Sequence, residues 1–433
     1  MSANDFEIKN VIKPEIDNPI ELPSNRRFMS DEDQIAFDPH ITSLTKAFAN
    51  QENPRAFEVA GPRSKIAFAP SKTKIAVASC GGLCPGINTV IRSIVLVAWH
   101  RYGVKEIQGV RFGYHGLGRN RRPFIPLDPE IVSKIHTEGG TILGTSRGTP
   151  GAEEIVETLK KEEISILFAI GGDGTMRGVN AISKEIERQN LDISVIGVPK
   201  TIDNDIPYVR RSFGFETASS IACDAIHAAH TEALAFDRCI GLVKLMGRHS
   251  GYIAATAALA NGHANLCLVP ELPFKLEGSG GLIEQVEERI QRKGRMVIVV
   301  AEGAGQYLFD HLEGKTDPSG NRKLGNIGEY LKEKMLSHFE NKGDPVAVKY
   351  IDPSYTIRSA APNAADQLLC SRFAQNAVHA AMAGKTAMMI GYWHGRMTHV
   401  PVKALEGQSQ KINPEGDLWY NVLESTGQPI KLD

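Results

Sequence analysis

Asp203 and Asp205 stand close together in PKTIDNDI (199–206), beside Lys200 and Thr201 and directly after the apolar run 193–198. A hydroxyl that attacks phosphorus must lose its proton, and a carboxylate steadied by a lysine and a second acid can take it. In an extended segment, residues two apart point the same way. Asp203 is therefore the candidate base and Asp205 a supporting or metal-orienting group. Aspartates also make Asx turns, but that reading leaves Lys200 and Thr201 without a task.

Two glycine-rich stretches supply the complementary chemistry. GGDGTMRG (171–178) follows an apolar run: Gly171, Gly172 and Gly174 clear room, Thr175 offers a hydroxyl, and Asp173 presents one hard oxygen ligand. Magnesium usually takes one or two protein carboxylates and completes its shell with phosphate oxygens and water. CGGLCPGIN (80–88) has the same strand, glycine turn, helix pattern, in which free N–H groups and the helix dipole meet phosphate. Either stretch is also compatible with a plain strand-to-helix turn. Neither GxxxxGK[ST] nor GxGxxG occurs, which weighs against a P-loop NTPase and a standard dinucleotide fold.

Cationic groups follow at further strand ends. Arg248 in MGRHSGY (246–252) can reach a phosphate in bidentate fashion, whereas His249 reads as a structural neighbour. Glu302 in AEGAGQ (301–306) suits sugar hydroxyls, and Tyr355, Arg358 and Lys349 lie in or beside YIDPSYTIRSAAPN (350–363). Lys349, Arg358 and Arg248 would together hold a remote phosphate. Arg147, in GTSRGTP (144–150), is placed to neutralise charge on a transferred phosphoryl group. His227 and His230 read as a helix surface, since no third metal ligand stands out. Cys80 and Cys84 read as small packing residues.

Positioning these groups requires an alternation of strands and helices. Strands are predicted at 74–80, 164–170, 193–198, 240–246, 296–302, 345–351 and 387–393, all β-branched and apolar without strict alternation, as in sheets covered on both faces. Helices are predicted at 88–100 and 217–236. The expected fold is α/β, doubly wound and mainly parallel, with its chemistry at the carboxyl ends of the strands. The length of 433 residues favours two domains. Residues 1–72, proline-dotted and charged, read as an N-terminal extension.

Composition narrows the class. With 42% hydrophobic residues, 23% charged and a formal net charge of -1, the chain has no basic footprint for nucleic acid and no membrane preference. The six cysteines lack a CxxC pair and fit a reducing compartment. MSANDFEIKN lacks a signal-peptide pattern, and the terminal IKLD is not an SKL-type signal. A cytoplasmic address is expected, with an organelle such as a glycosome as the alternative.

In order, GGLCPG, GTSRGTP, GGDGT, PKTIDND, FGFETA, MGRHSGY, AEGAG and YTIR resemble the signature segments of the phosphofructokinase family, from about Thr73 to beyond Arg358. The resemblance implies transfer of the ATP γ-phosphate to the 1-hydroxyl of fructose 6-phosphate, in glycolysis. It implies Asp203 as base, with Thr201, Asp205 and Lys200 nearby, Arg147 on the transferring group and Asp173 on Mg2+. Gly81, Arg147, Gly148, Gly172, Asp173, Gly174 and Thr175 would line the donor site. Thr201, Ile202, Asp203, Met246, Gly247, Arg248, Glu302, Lys349, Tyr355 and Arg358 would hold the sugar phosphate.

Two positions pull apart. Lys200 is typical of the pyrophosphate-using branch, whose members generally carry aspartate where this chain has Gly174; glycine leaves room for the α-phosphate of a nucleotide. The combination is similar to the long-chain ATP-dependent enzymes of trypanosomes and plants. A pyrophosphate-dependent transferase and a catalytically silent sugar-phosphate-binding subunit are the alternatives. The resemblance further implies two α/β domains with the active site in the cleft between them, allosteric control and a homotetramer. The larger, donor domain would comprise 73–214 and 357–407, the sugar-phosphate domain 215–356 and 408–433.

Overall fold

The computed structural model describes residues 6–119, 121–146, 148, 150–309, 312, 314–316 and 323–433. The chain divides into two compact units: Met1–Thr201, Ile206–Gly214 and Ser359–Gln408 form one, and Ile202–Asp205, Phe215–Arg358 and Ser409–Asp433 the other. The crossing at Thr201 falls inside PKTIDND.

The first unit is built on a nine-stranded sheet. Its order is Gln34–Ala36, Ala56–Val59, Arg396–Pro401, Met388–Trp393, Ser194–Pro199, Ile166–Gly171, Lys74–Ser79, Glu106–Val110 and Ile125–Pro126. The five strands from Met388–Trp393 to Glu106–Val110 run parallel, and the outer pairings are antiparallel. Ile166–Gly171 and Ser194–Pro199 are buried at every residue, the consequence of apolar runs with both faces covered. From Lys74–Ser79 the chain goes to Glu106–Val110 on one side and later to Ile166–Gly171 on the other. A topological switch point, where open α/β sheets bind ligands, thus lies at the ends of Lys74–Ser79 and Ile166–Gly171.

Residues read as an N-terminal extension are integrated into this unit. Gln34–Ala36 and Ala56–Val59 extend the sheet, and Phe6, Phe37, Phe57, Tyr208 and Trp393 pack edge-on, tilted or stacked against one another. Behind them lies a buried ionic cluster. Glu58 accepts from His399 Nδ1 at 2.8 Å and pairs with Lys385 at 3.2 Å and with Arg63, and Arg63 Nε also donates to Asp31 at 2.8 Å. Burial pushes the Glu58 carboxyl up, but His399, Lys385 and Arg63 outweigh it and hold the acid below its usual range. The composition of 1–72 hid this because Lys385 and His399 lie more than 300 residues from Glu58.

The second unit carries a four-stranded parallel sheet in the order Leu266–Leu268, Arg295–Ala301, Cys239–Leu245, Ala347–Ile351. One face packs Ile240, Leu242, Ile298 and Val300 against Val286 and Ile290 of helix Leu282–Lys293 and Leu331 and Met335 of helix Ile327–Asn341. On the other, helix Phe215–Leu234 comes so close to Gly241 that a Cβ there would lie 2.8 Å from the Ala229 carbonyl oxygen. Among the described residues no helix is long and apolar enough to cross a membrane.

Candidate active site

Three loops leave neighbouring parallel strands of the first unit and are tied to one another. Cys80 N–H donates to Ile170 O at 2.8 Å, and Lys200 N–H to Gly171 O at 2.9 Å. Gly81 accepts from Thr145 Oγ1 at 2.6 Å and donates to Ser146 O at 3.1 Å, which docks the GTSRGTP loop on the first glycine turn. Lys200 Nζ donates to Gly82 O at 2.7 Å. Lys200 is 5% exposed, so this cation bridges the turns from within. Arg147 lies outside the described residues; its neighbour Gly148 has φ 84°.

Helix Asp173–Arg188 starts in the second glycine turn. No side chain caps it at Gly172, which leaves the first N–H groups for an anion. Thr175 folds back over the strand end, so a Cβ at Gly171 would lie 2.0 Å from its hydroxyl; glycine is required there by contact. At Gly174 a Cβ would meet nothing nearer than Arg177 Nη2 at 3.7 Å, an ordinary van der Waals contact, so a Cβ fits there without a clash. Asp173 pairs with Arg177 at 2.5 Å with both side chains exposed, a contact that exchanges easily. Cys80 and Cys84 are buried, and burial raises the Cys80 thiol to about 12, in keeping with packing.

Asp173 fits Mg2+ as a single exposed carboxylate at a phosphate-binding turn. No group of three or more His, Cys, Asp or Glu suited to a metal occurs among the described residues. That donor set suits an ion that takes its remaining ligands from phosphate and water.

In the second unit the loop 202–205 is anchored through its backbone. Ser250 Oγ donates to Asp203 O at 2.8 Å, Gln410 Nε2 to Asn204 O at 2.9 Å and Gln410 N–H to Asp205 O at 2.8 Å. Asn204 adopts a left-handed backbone, φ 54°. The chain therefore turns between the two aspartates, and the extended alternation expected to align them does not apply. Thr201, in the first unit, accepts from Ser212 Oγ at 2.6 Å. Ile202 is buried.

The ends of three neighbouring strands carry the other predicted groups of this unit. Met246, Gly247 and Arg248 leave Cys239–Leu245, and Gly303 N–H donates to Gly247 O at 3.1 Å. A Cβ at Gly303 would lie 2.0 Å from Arg248 O, which brings the AEGAG turn directly against MGR. Burial pushes the Glu302 carboxyl above its usual range, opposed by Lys244, Arg248 and Arg358. Arg358 stands over the exposed Tyr355 ring at 5.0 Å on helix Ser354–Ser359.

Lys349 is not in this group. It lies within strand Ala347–Ile351 opposite Gly241, on the side of helix Phe215–Leu234, paired with Glu232 at 3.6 Å and over Phe236 at 4.1 Å. Lys244, missed from sequence, takes the opposite face and binds Asp352 at 2.7 Å; Asp352 also accepts from Ser354 N–H at 3.1 Å. The available signal was a lone lysine inside IGLVKLM. His249 is exposed. His230 stacks on His263 at 4.0 Å, a histidine pair the helix-surface reading lacked.

Glycine turns at a switch point, a single acid at a helix start and, in the second unit, Arg248 and Arg358 beyond the strand ends suit an α/β protein of the phosphate-handling class. The family profile "Phosphofructokinase" matches residues 74–381, and the chain belongs to that family. It is 50% identical over 87% of its length to an ATP-dependent 6-phosphofructokinase of Borreliella burgdorferi, covering 86% of that protein. To the protein of the same name from Amycolatopsis methanolica it is 45% identical, over 100% of this chain and 96% of the other. A pyrophosphate-dependent phosphofructokinase structure from Marinobacter aquaeolei shares the fold, with TM-score 0.67, 22% identity and coverage of 82% and 91%.

Proposed function

We propose that this chain is an ATP-dependent 6-phosphofructokinase, which moves the γ-phosphoryl group of ATP to the 1-hydroxyl of fructose 6-phosphate and yields fructose 1,6-bisphosphate and ADP. The observation that carries ATP as the donor is glycine at position 174, which places no side chain against a nucleotide α-phosphate, in keeping with the names of the relatives.

The first unit takes the donor role: Gly81, Gly148, Gly172, Gly174 and Thr175 border the phosphates, and Lys200 holds the two glycine turns in register. Arg147 neutralises charge on the transferring group. Mg2+ on Asp173 supplies electrostatic stabilisation of the phosphate oxygens when bound. The second unit takes the sugar phosphate: Arg248 and Arg358 meet its phosphate, Tyr355 its edge, and Glu302 accepts from its hydroxyls. Asp203 accepts the 1-hydroxyl proton, with Asp205 and Thr201 as neighbours.

A homotetramer, allosteric control and a cytoplasmic address complete the reading. Light scattering of the purified protein tests the tetramer. Turnover of fructose 6-phosphate with Mg2+ and either ATP or pyrophosphate tests the donor. Turnover with pyrophosphate and none with ATP overturns the assignment; sugar-phosphate binding without turnover makes the chain a regulatory subunit.

A further inference from the structure

A cavity of about 260 Å³ lies in the first unit, at the far end of the helix that begins at Asp173. Its size is just below the roughly 300 Å³ at which small-molecule clefts begin. Val11, Ile186, Leu191 and Pro401 give it apolar walls. Ser183 also lines it: this side chain is 7% exposed, and its buried hydroxyl has no hydrogen-bond partner in the structure. Three lysines and three carboxylates border the cavity, so its charge balance does not select an anion.

One wall is lightly held. The strand Lys9–Asn10 pairs with Lys385–Thr386 through only two residues, and Lys9 Nζ closes on Glu187 Oε1 at 2.8 Å with both side chains more than half exposed. Exposed pairs of this kind contribute little, and beyond them Val11 N–H donates to Gly384 O at 2.8 Å. Opposite it, Ser183, Ile186 and Glu187 belong to helix Asp173–Arg188, whose first turn bears Asp173 and Thr175. Leu191 lies just before the strand Ser194–Pro199 that delivers Lys200. A molecule seated here therefore touches the helix that begins in one donor turn and the loop that leads into the strand delivering Lys200.

We infer that this cavity is a regulatory site for an uncharged, partly apolar molecule of one- or two-ring size. Occupancy biases the helix, and with it the donor turn, because a ligand shifts an equilibrium by its differential affinity for the two states.

The test attaches a probe at the site in the full-length enzyme. Cys223, the one cysteine that is not buried, is first replaced by serine. Ser183→Cys is then treated with benzyl methanethiosulfonate or with the anionic 2-sulfonatoethyl reagent, and adducts are read by intact mass. Expected is benzyl labelling at least about tenfold faster than anionic labelling, with a change of at least about threefold in the KM for the phosphoryl donor that thiol reductant reverses. No adduct in the folded enzyme, anionic labelling as fast as benzyl labelling, or a benzyl adduct with unchanged kinetics overturns the inference. Val11→Cys, on the opposite wall, carries the same comparison if Ser183→Cys fails to fold. The labelling ratio is independent of the donor, and the kinetics are measured with whichever donor turns over, so failure here is distinct from failure of the ATP assignment.

Discussion

The Lys200 ammonium donates to the carbonyl oxygen of Gly82 at 2.7 Å, and the Lys200 backbone N–H donates to Gly171 at 2.9 Å. One residue thereby clamps both glycine turns. Beside two aspartates it reads from sequence as a counter-charge, and in the family comparison as a mark of pyrophosphate use; its geometry makes it a bridge between donor turns. Lys200→Met should lower kcat/KM for ATP by about 10- to 100-fold, roughly 1.4–2.7 kcal/mol, while the KM for fructose 6-phosphate changes little. Equal losses for both substrates would argue against a donor-side role.

Gly174→Asp places a second carboxylate in the first turn of helix Asp173–Arg188. A Cβ fits there without a clash and an acid at a helix start is favourable, so the melting temperature should be unchanged or slightly raised. Repulsion of the nucleotide α-phosphate should nevertheless cut kcat/KM for ATP by at least about 100-fold, or roughly 2.7 kcal/mol. Steady-state kinetics beside a thermal melt separate the two effects.

Asp203→Ala removes the base while Ser250 and Gln410 still anchor the loop backbone. Turnover should fall by about 10²- to 10⁴-fold, with fructose 6-phosphate binding by calorimetry largely intact. Near-normal turnover would remove Asp203 from the mechanism.

Glu302 must be ionised to act purely as an acceptor for sugar hydroxyls. Burial raises its pKa, so the neutral form persists to a higher pH than for an ordinary glutamate. The KM for fructose 6-phosphate should rise as pH falls through that raised pKa. The sugar phosphate itself also titrates, near pH 6, so Glu302→Gln is the control: it should weaken binding at neutral pH and flatten the Glu302 part of the profile. As for stability, the folded state binds the extra proton, so the contribution of Glu302 declines as pH rises from the ordinary carboxylate pKa through the raised one.

Glu58→Gln leaves Arg63, Lys385 and His399 without their common carboxylate. Removing one partner of a buried ionic cluster typically costs about 3–5 kcal/mol, so a clear fall in denaturation midpoint is expected. For the native protein the sign is the reverse of Glu302. The depressed Glu58 pKa gives stability that is present above the ordinary glutamate pKa and is lost as pH falls through the folded value. Acid unfolding of the two proteins should converge at low pH.

The sequence by itself determined the strand runs, the glycine turns at their ends and the family, because these are local: an apolar stretch such as KIAVAS becomes the buried strand Lys74–Ser79, and glycine pairs answer a turn requirement a few residues long. Only the tertiary structure decided which side chains share a site. Lys349 and Lys244 lie in similar apolar strands, yet sheet register sends one toward Glu232 and the other to Asp352. The left-handed Asn204 breaks the alternation that seemed to align Asp203 with Asp205. Residues before Thr73, which look like an extension, close an ionic cluster with Lys385 and His399. In each case the partner is chosen by a contact distant in sequence or by one backbone angle, and neither is written in local composition.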